Sequence, residues 1–569
     1  MMMAILDGAG LAMFLPLLKI ASGEKLESGD EMEDLDAVLD VITGLGLPLT
    51  VLSVLILMLF FFLLKGVAKY GTGFYKVILN KRFANNIRLQ NMRLLANYDY
   101  EKFSKADSGR IQNTFSGEVN QLNSAYRNYF TMLQASIMTT VYVSLACVSN
   151  FRFAIIVAVG GVLSNLVFNK IYGITKRASR RVTKEMHGFQ GFLIESVSSF
   201  KFLKATNLIS QYKEKVDHSI QSIEKETLVV GKMNALTAAI REPLMVLVVV
   251  IAIYIQLEVF EESMGAIVLS LLFFYRGLTS LLQVQAYYNS FLSASGSMEN
   301  MTRFVNELTE DQESTGTIVF EHLQDEIAIQ NLTFAYEDNT VLNNINLTIP
   351  KNKTIGLAGE SGTGKTTLVN LICGLLKPAP GMIRVDGTDL LDLDIKTYRD
   401  RIGYVTQEPQ MFSDTVFHNV TFWDERTPET ERRFWRALEL ANADGFIREL
   451  PLQGETVIGI NGINLSGGQR QRISIARELY RDIDILVLDE ATSALDSQSE
   501  KLIQENIESL SGSYTILVIA HRFSTIQKAD KIIYLKRDGV YDVGTFEQLQ
   551  AESSSFKTLV DLQSVGTIV

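Results

Sequence analysis

The residues with the clearest chemistry lie in one run: Gly359, Glu360, Ser361, Gly362, Thr363, Gly364, Lys365 and Thr366. Two glycines enclose a four-residue gap and Lys-Thr follows, which is the spacing of a phosphate-binding P-loop. Residues 353–358 before it read as a buried strand. The apolar run from Thr367 to 376 after it reads as a helix. Glycines let backbone N–H groups curl around phosphates, and the helix N-terminus adds its positive dipole end. The stretch from Gly359 to Thr367 is therefore the expected nucleotide cradle. Lys365 supplies charge to the phosphates, and the Thr366 hydroxyl is placed to ligate Mg²⁺.

Other polar residues stand where strands should end. Gln407 follows a strand expected at 401–406, and its neutral amide can ligate Mg²⁺ and touch an attacking water. Ser466, Gly467, Gly468 and Gln469 precede a helical run at 470–480, with Ser466 a natural N-cap, so this reads as a second anion-binding helix start. The apolar run 483–488 ends in Asp489 and Glu490. Asp489 can hold Mg²⁺ through water, and Glu490 can polarise the attacking water as general base. Asp496 follows in the sequence Ser-Ala-Leu-Asp. A strand expected at 514–520 ends in His521, a candidate sensor of the γ-phosphate. Phe334-Ala335-Tyr336 closes an early strand, and Tyr336 is the aromatic expected to stack on adenine. Residues 538–539, Asp-Gly, sit between two apolar runs as a hairpin turn.

The elements that must position these groups fall into two populations. The chain has 569 residues, 47% hydrophobic and 21% charged, with a formal net charge of −11; its mean hydropathy is +0.14. That mean conceals an apolar first half and a soluble α/β second half. Cys147 and Cys373 are the only cysteines, too few for a disulfide framework or a zinc site. The first twenty residues lack the basic flank and cleavage site of a secretory leader. Apolar runs at 1–20, 49–64, 129–148, 153–171, 244–259 and 264–282 predict six membrane spans, the first of them short. Residues 32–47 fit either an acidic amphipathic surface helix or a solvated loop. The segments between spans two and three and between spans four and five are long, basic and helical in rhythm. The first loop and the loop holding Glu258, Glu261 and Glu262 are acidic. Positive-inside logic then puts the basic segments and the P-loop half in the cytoplasm. Residues 98–103 and 191–195 lie far out along the basic segments and are candidate contacts with the ATP-binding half. Lys65, Arg241 and Arg276 are bases in or beside apolar spans; each either serves a substrate or, for Lys65 and Arg241, snorkels or pairs with an acid such as Glu242. The expected fold is an all-α six-helix transmembrane domain at 1–297, a segment at 298–326 made of a polar linker, 298–315, and the start of the cassette, and an α/β P-loop ATPase domain at 327–569.

Taken in order, the P-loop, Gln407, the run Leu465-Ser466-Gly467-Gly468-Gln469, Asp489-Glu490, Asp496 and His521 resemble an ATP-binding cassette. Six spans ahead of one cassette resemble the half-transporters of the type I exporter fold. In that family each ATP lies between one subunit's P-loop and the other's signature loop. The resemblance therefore implies a dimer, most simply a homodimer though a heterodimer is possible, with ATP and Mg²⁺ as cofactors and an integral cytoplasmic-membrane location. Asp99-Tyr100-Glu101-Lys102-Phe103, Gly117-Glu118-Val119 and the acidic stretch after the first span look like lipid-linked oligosaccharide flippases. That likeness implies that Lys65, Arg241 and Arg276 receive a pyrophosphate headgroup. Two departures stand out: the first span is shorter than usual, and Ile460 stands where the family's loop before the signature carries an acid. The expected activity is ATP-driven export or flipping of a lipid-linked oligosaccharide or another amphiphile. A multidrug, lipid or peptide exporter is the alternative, and an ATP-gated channel or non-transporting membrane regulator is the alternative of another class. DNA-associated cassette ATPases share the signature loop, but the fused spans exclude that class, so no nucleic-acid partner is expected.

Overall fold

The computed structural model describes residues 2–14, 16–17, 50–149, 151–258, 264–337, 339–459, 462, 464–489, 497–520, 522–537 and 540–565. The chain divides into two compact units, Met1–Gln312 and Glu313–Val569.

Among the described residues the first unit is built on α1 (Met2–Ala12), α2 (Val51–Ala96), α3 (Val119–Ser149), α4 (Phe151–Ser198), α5 (Ile209–Glu258) and α6 (Met264–Leu292). Each expected span falls on one of these helices. Two stretches, Val51–Ala96 and Ser108–Cys147, are long and apolar enough to cross a membrane by length and composition. The 46 residues of α2 reach about 70 Å at 1.5 Å per residue, more than twice the hydrocarbon thickness of a bilayer. The apolar segment therefore continues as a water-exposed helix, as the rhythm of the basic segments predicts. Thr50 starts α2 by accepting the Ser53 N–H at 3.3 Å. Leu52, Leu59 and Leu63 on α2 are at least 60% exposed, a surface that suits lipid rather than water. Helix α1 packs against α2 through Val54 and Leu57, and Leu11 meets Ala146 of α3 and Phe273 of α6. Helices α3 and α6 run along each other, as do α4 and α5. The reading of 32–47 and most of the acidic loop 258–262 lie outside the described residues.

Residues 298–315 are not a plain linker. Most of them belong to α7 (Ser295–Glu310), which buries Met301, Phe304 and Leu308 in the membrane unit. Arg180 of α4 grips Glu299 of α7 through two bonds of 2.7 and 2.6 Å. This fork draws the Glu299 carboxyl below its usual range. The spacing of Met301, Phe304 and Leu308 is helical, but the low mean hydropathy of this stretch conceals it.

The second unit holds two sheets. Strands β1 (Glu326–Tyr336), β2 (Asn339–Pro350), β4 (Ile383–Val385) and β5 (Thr388–Asp389) form an antiparallel sheet in the order β2-β1-β4-β5. Strands β3 (Thr354–Gly359), β6 (Ile402–Val405), β7 (Ile485–Asp489), β8 (Thr515–Ile519), β9 (Lys531–Leu535) and β10 (Tyr541–Gly544) form the other, in the order β10-β9-β3-β8-β7-β6. Only β10 is antiparallel there. It pairs Tyr541 with Leu535 across the expected hairpin, whose Asp538 and Gly539 lie outside the described residues. Along β7, Ile485 and Val487 enter one apolar core while Leu486 and Leu488 enter another. A strand buried on both faces has to be a continuous apolar run, which is why 483–488 was legible as one.

Candidate functional site

The parallel register assembles the expected catalytic edge. Leu357 of β3 and Asp489 of β7 both pair with Ile519 of β8, and Val405 of β6 pairs with Leu488. Gly359, Asp489, Ala520 and Gln407 therefore all stand at the carboxyl ends of neighbouring strands. That edge is where open α/β sheets bind ligands. Glu490, Asp496 and His521 lie outside the described residues, as does Ile460, the departure from the family's loop.

The P-loop is held open by backbone geometry. Gly359 has φ +149°, and a Cβ there would lie 2.3 Å from the Leu535 carbonyl oxygen. Gly364 has φ +94° and would meet Val341 and Leu342 at 2.8 and 2.9 Å. Both positions need glycine. Helix α8 (Lys365–Ile372) starts at Gly364 with no side-chain cap, so its first N–H groups face the loop. Lys365 is buried and donates to the Gly359 and Glu360 carbonyls at 2.9 and 2.8 Å. Thr363 donates to the Glu360 carbonyl at 2.9 Å, while Ser361, Gly362 and Thr366 are exposed. The Glu360 carboxylate turns away to Arg537, with contacts of 3.0 and 2.9 Å. Only the backbone of Glu360 is thus directed to the cradle. Tyr336 is half-buried, lies edge-on to Phe334 at 5.1 Å, and brings its hydroxyl to 3.5 Å from the Thr367 hydroxyl.

One neighbour was missed from sequence. The Tyr404 hydroxyl, one strand over on β6, donates to Asp489 Oδ2 at 3.1 Å. The only available signal was an aromatic three residues before Gln407. The hydroxyl of Thr366, the amide of Gln407 and the carboxylate of Asp489 are hard oxygen donors, the set that Mg²⁺ prefers to softer metals. Among the described residues no group of three His, Cys, Asp or Glu side chains is placed to hold a metal ion.

The second helix start is built differently. Ser466 caps α9 (Gly467–Tyr480): its hydroxyl accepts the Gln469 N–H at 3.2 Å, and the Gln469 side chain accepts the Ser466 N–H at 2.9 Å. This reciprocal box fixes the loop. It also commits the Gln469 side-chain oxygen to structure. Cys373, at the end of α8, has its thiol pushed up to about 12 by complete burial, so it is not a nucleophile.

In the membrane unit two of the three expected substrate bases converge. Lys65 of α2 forms an ion pair with Asp7 of α1. Arg276 of α6 places Nε 3.9 Å from the other Asp7 oxygen. The Tyr142 hydroxyl of α3 donates to that same oxygen. Arg241 belongs to α5, but its side chain lies outside the described residues. Asp7 was visible from sequence only as an isolated acid in an apolar run. The signal was its charge, opposite to the lone bases of other runs. Farther along, Glu118 is buried beside a turn of π-helix, Thr114–Glu118, and is held by His187 at 2.6 Å and by the Asn300 amide at 2.6 Å.

Comparison with known proteins agrees with both halves. Residues 35–282 match the family described as "ABC transporter transmembrane region", and 342–493 match "ABC transporter". The chain is 30% identical to the heterocyst differentiation ATP-binding protein HepA of Nostoc sp. over 493 residues, covering 84% of this chain and 79% of the relative. It is 30% identical to an ATP-dependent lipid A-core flippase of Cupriavidus pinatubonensis over 512 residues, 88% of this chain and 86% of that one. A multidrug resistance ABC transporter ATP-binding and permease protein of Lactococcus lactis is 27% identical over 497 residues, 85% and 83% of the two chains. A bacterial Atm1-family ABC exporter solved with ATP bound superposes with a TM-score of 0.77 over 99% of this chain and 96% of that one, at 19% identity.

Proposed function

The chain belongs to the ABC transporter family, as a membrane protein whose ATPase domain binds ATP and couples its hydrolysis to transport, and from that premise we propose that two copies flip a lipid-linked oligosaccharide or similar amphiphile across the cytoplasmic membrane. The observation that carries the energy-coupling part is the shared strand edge: the P-loop, Gln407 and Asp489 stand at the carboxyl ends of β3, β6 and β7 in one parallel array, with β8 between β3 and β7. The chain has one P-loop and one signature loop, which supports a twofold homodimer with each ATP between the two kinds of loop. Five of the long helices are 29 to 50 residues each, which supports a multi-pass arrangement with the ATPase in the cytoplasm.

At the ATP site, Gly359 to Thr367 would cradle the phosphates and Tyr336 would stack on the base. Ser466, Gly467, Gly468, Gln469 and Asp496 would close the site from the second copy. Thr366, Gln407 and Asp489 would hold Mg²⁺, which when bound neutralises charge on the phosphates. Glu490 acts as general base on the attacking water, and His521 holds the γ-phosphate side in register. The relatives named as lipid A-core flippases support a lipid substrate, with Lys65, Arg241 and Arg276 receiving an anionic headgroup. The Lactococcus relative favours multidrug export as a second reading.

Reconstitution into liposomes with polyprenyl-pyrophosphate sugars, phospholipids and cationic drugs tests these readings together. Stimulation of ATP hydrolysis by the saccharide lipid is the expected result; stimulation by drugs alone selects the second reading. Glu490→Gln should retain ATP binding and lose about a hundredfold or more of steady-state hydrolysis. Unimpaired hydrolysis in that variant removes Glu490 from its role.

A further inference from the structure

The chain passes from one unit to the other with no slack. Asp311 and Gln312 are the last residues of the membrane unit, and both are fixed to the C-terminal end of α2 and the turn after it. The Asp99 N–H donates to the Asp311 carbonyl at 3.0 Å, Tyr98 and Gln312 form an antiparallel bridge, and the Gln312 amide donates to the Leu94 carbonyl at 3.1 Å. Glu313, the next residue, is already fixed within the ATPase unit. Arg399 grips its carboxylate through both terminal nitrogens, Nη1 at 2.9 Å, and the Glu313 side chain is only 14% exposed. Thr315 follows, donating to the Asp394 carboxylate at 3.2 Å and accepting the Ile395 N–H at 3.0 Å.

Arg399 has a second task. It donates through Nε to the Cys373 carbonyl at 3.3 Å and through Nη2 to the Gly374 carbonyl, and the neighbouring Tyr398 hydroxyl donates to the Ile372 carbonyl at 3.0 Å. These carbonyls close the C-terminal end of α8, whose first residue is Lys365. A cation on the orphan carbonyls of a helix C-terminus is favourable. Eight residues make α8 a stiff rod of about 12 Å, with the phosphate cradle at one end and Arg399 at the other. We infer that Glu313 and Arg399 are positioning residues that pass a nucleotide-driven shift of α8 to the membrane unit along the chain itself. A planar guanidinium can hold the carboxylate and the helix end in one fixed geometry, which a point-like ammonium does not match. A flexible linker would absorb the displacement. One pinned at Asp311, Gln312 and Glu313 in succession hands it on to α7 and the end of α2, through packed elements and side-chain ties. No transported ligand enters this inference, so it stands apart from the lipid reading.

The test uses the full chain in detergent and reads backbone hydrogen exchange over residues 304–312, with and without a non-hydrolysable ATP analogue and Mg²⁺. The wild type should show a nucleotide-dependent change there. Glu313→Gln takes the charge out of the fork. Inserting two glycines between Gln312 and Glu313 leaves every tie intact but adds slack. Each variant should lose most of the change. Both should keep nucleotide affinity and basal hydrolysis within about twofold of the wild type, the scale of a change that touches no working group. A merely structural tie would not make the insertion variant deaf to nucleotide. A full-size change in either variant, or no change in the wild type, overturns the inference. So does an insertion variant that binds nucleotide far more weakly, because the junction would then only shape the ATP site. If Glu313→Gln does not fold, the insertion decides, since it removes no side chain. A protein that shows the expected pattern but flips no saccharide lipid keeps this inference and defeats the lipid reading.

Discussion

Two lysines expected to meet phosphate groups in the two halves of this protein are held by partners at very different distances in sequence. Lys365 donates to the carbonyls of Gly359 and Glu360, six and five residues away in its own loop. Lys65 is held by the charged Asp7, fifty-eight residues away on another helix. At Lys65 an anion is already seated, brought there by the packing of a distant helix, whereas the carbonyls at Lys365 come from its own short loop.

The sharpest way to break this comparison is to remove each lysine in turn. Lys365→Ala should lower ATP hydrolysis by about a thousandfold, as expected when a preorganised charge is taken from a phosphoryl-transfer site. Lys65→Met should act on stability. It leaves Asp7 buried beside the more distant Arg276, a destabilisation of about 3 kcal/mol, and adding Asp7→Asn should restore most of the loss in thermal melts. If Asp7→Asn restores nothing, Lys65 does not neutralise Asp7.

A smaller effect is expected at Tyr404. Its hydroxyl orients Asp489 at 3.1 Å, so Tyr404→Phe should raise the Mg²⁺ concentration for half-maximal hydrolysis about tenfold, the usual scale for a partner one step removed from a metal. An unchanged Mg²⁺ titration would mean that the bond is incidental. The smallest concerns Asp414, whose carboxyl is lowered from 3.8 to about 2 by the Trp423 indole at 2.6 Å, by His418 at 2.9 Å and by the Thr415 N–H. A carboxyl lowered in the folded state stabilises at pH values above its unfolded value, and that contribution disappears as pH falls through the folded value. Asp414→Asn should therefore melt slightly lower than the wild type at pH 5. The difference should shrink as pH drops from about 4 to 2, and a gap that stays constant across that range rules the linkage out.

Legibility followed the distance over which partners meet. The P-loop, the Ser466 cap and the strand before Asp489 were readable because each is local: a glycine spacing, a capping residue, an apolar run buried on both faces. The boundary at Gln312 was not readable. Met301, Phe304 and Leu308 carry the signal of α7, but averaging with Glu299, Glu307 and Glu310 masked it, so the stretch resembled a linker. Tyr404 gave no sign because its role depends on β6 lying beside β7, eighty-five positions away from Asp489 in sequence.

By itself the sequence determined that this chain folds as long apolar helices joined to a nucleotide-binding α/β unit. It also marked the P-loop glycines and the polar residues expected at strand ends. These are consequences of backbone sterics, side-chain periodicity and hydropathy, which act over a few residues. Only the tertiary structure decided which charges face each other. Four helices had to pack before Asp7, Lys65, Tyr142 and Arg276 became one site, because a buried charge acquires its meaning from whatever the fold sets within a few ångströms of it.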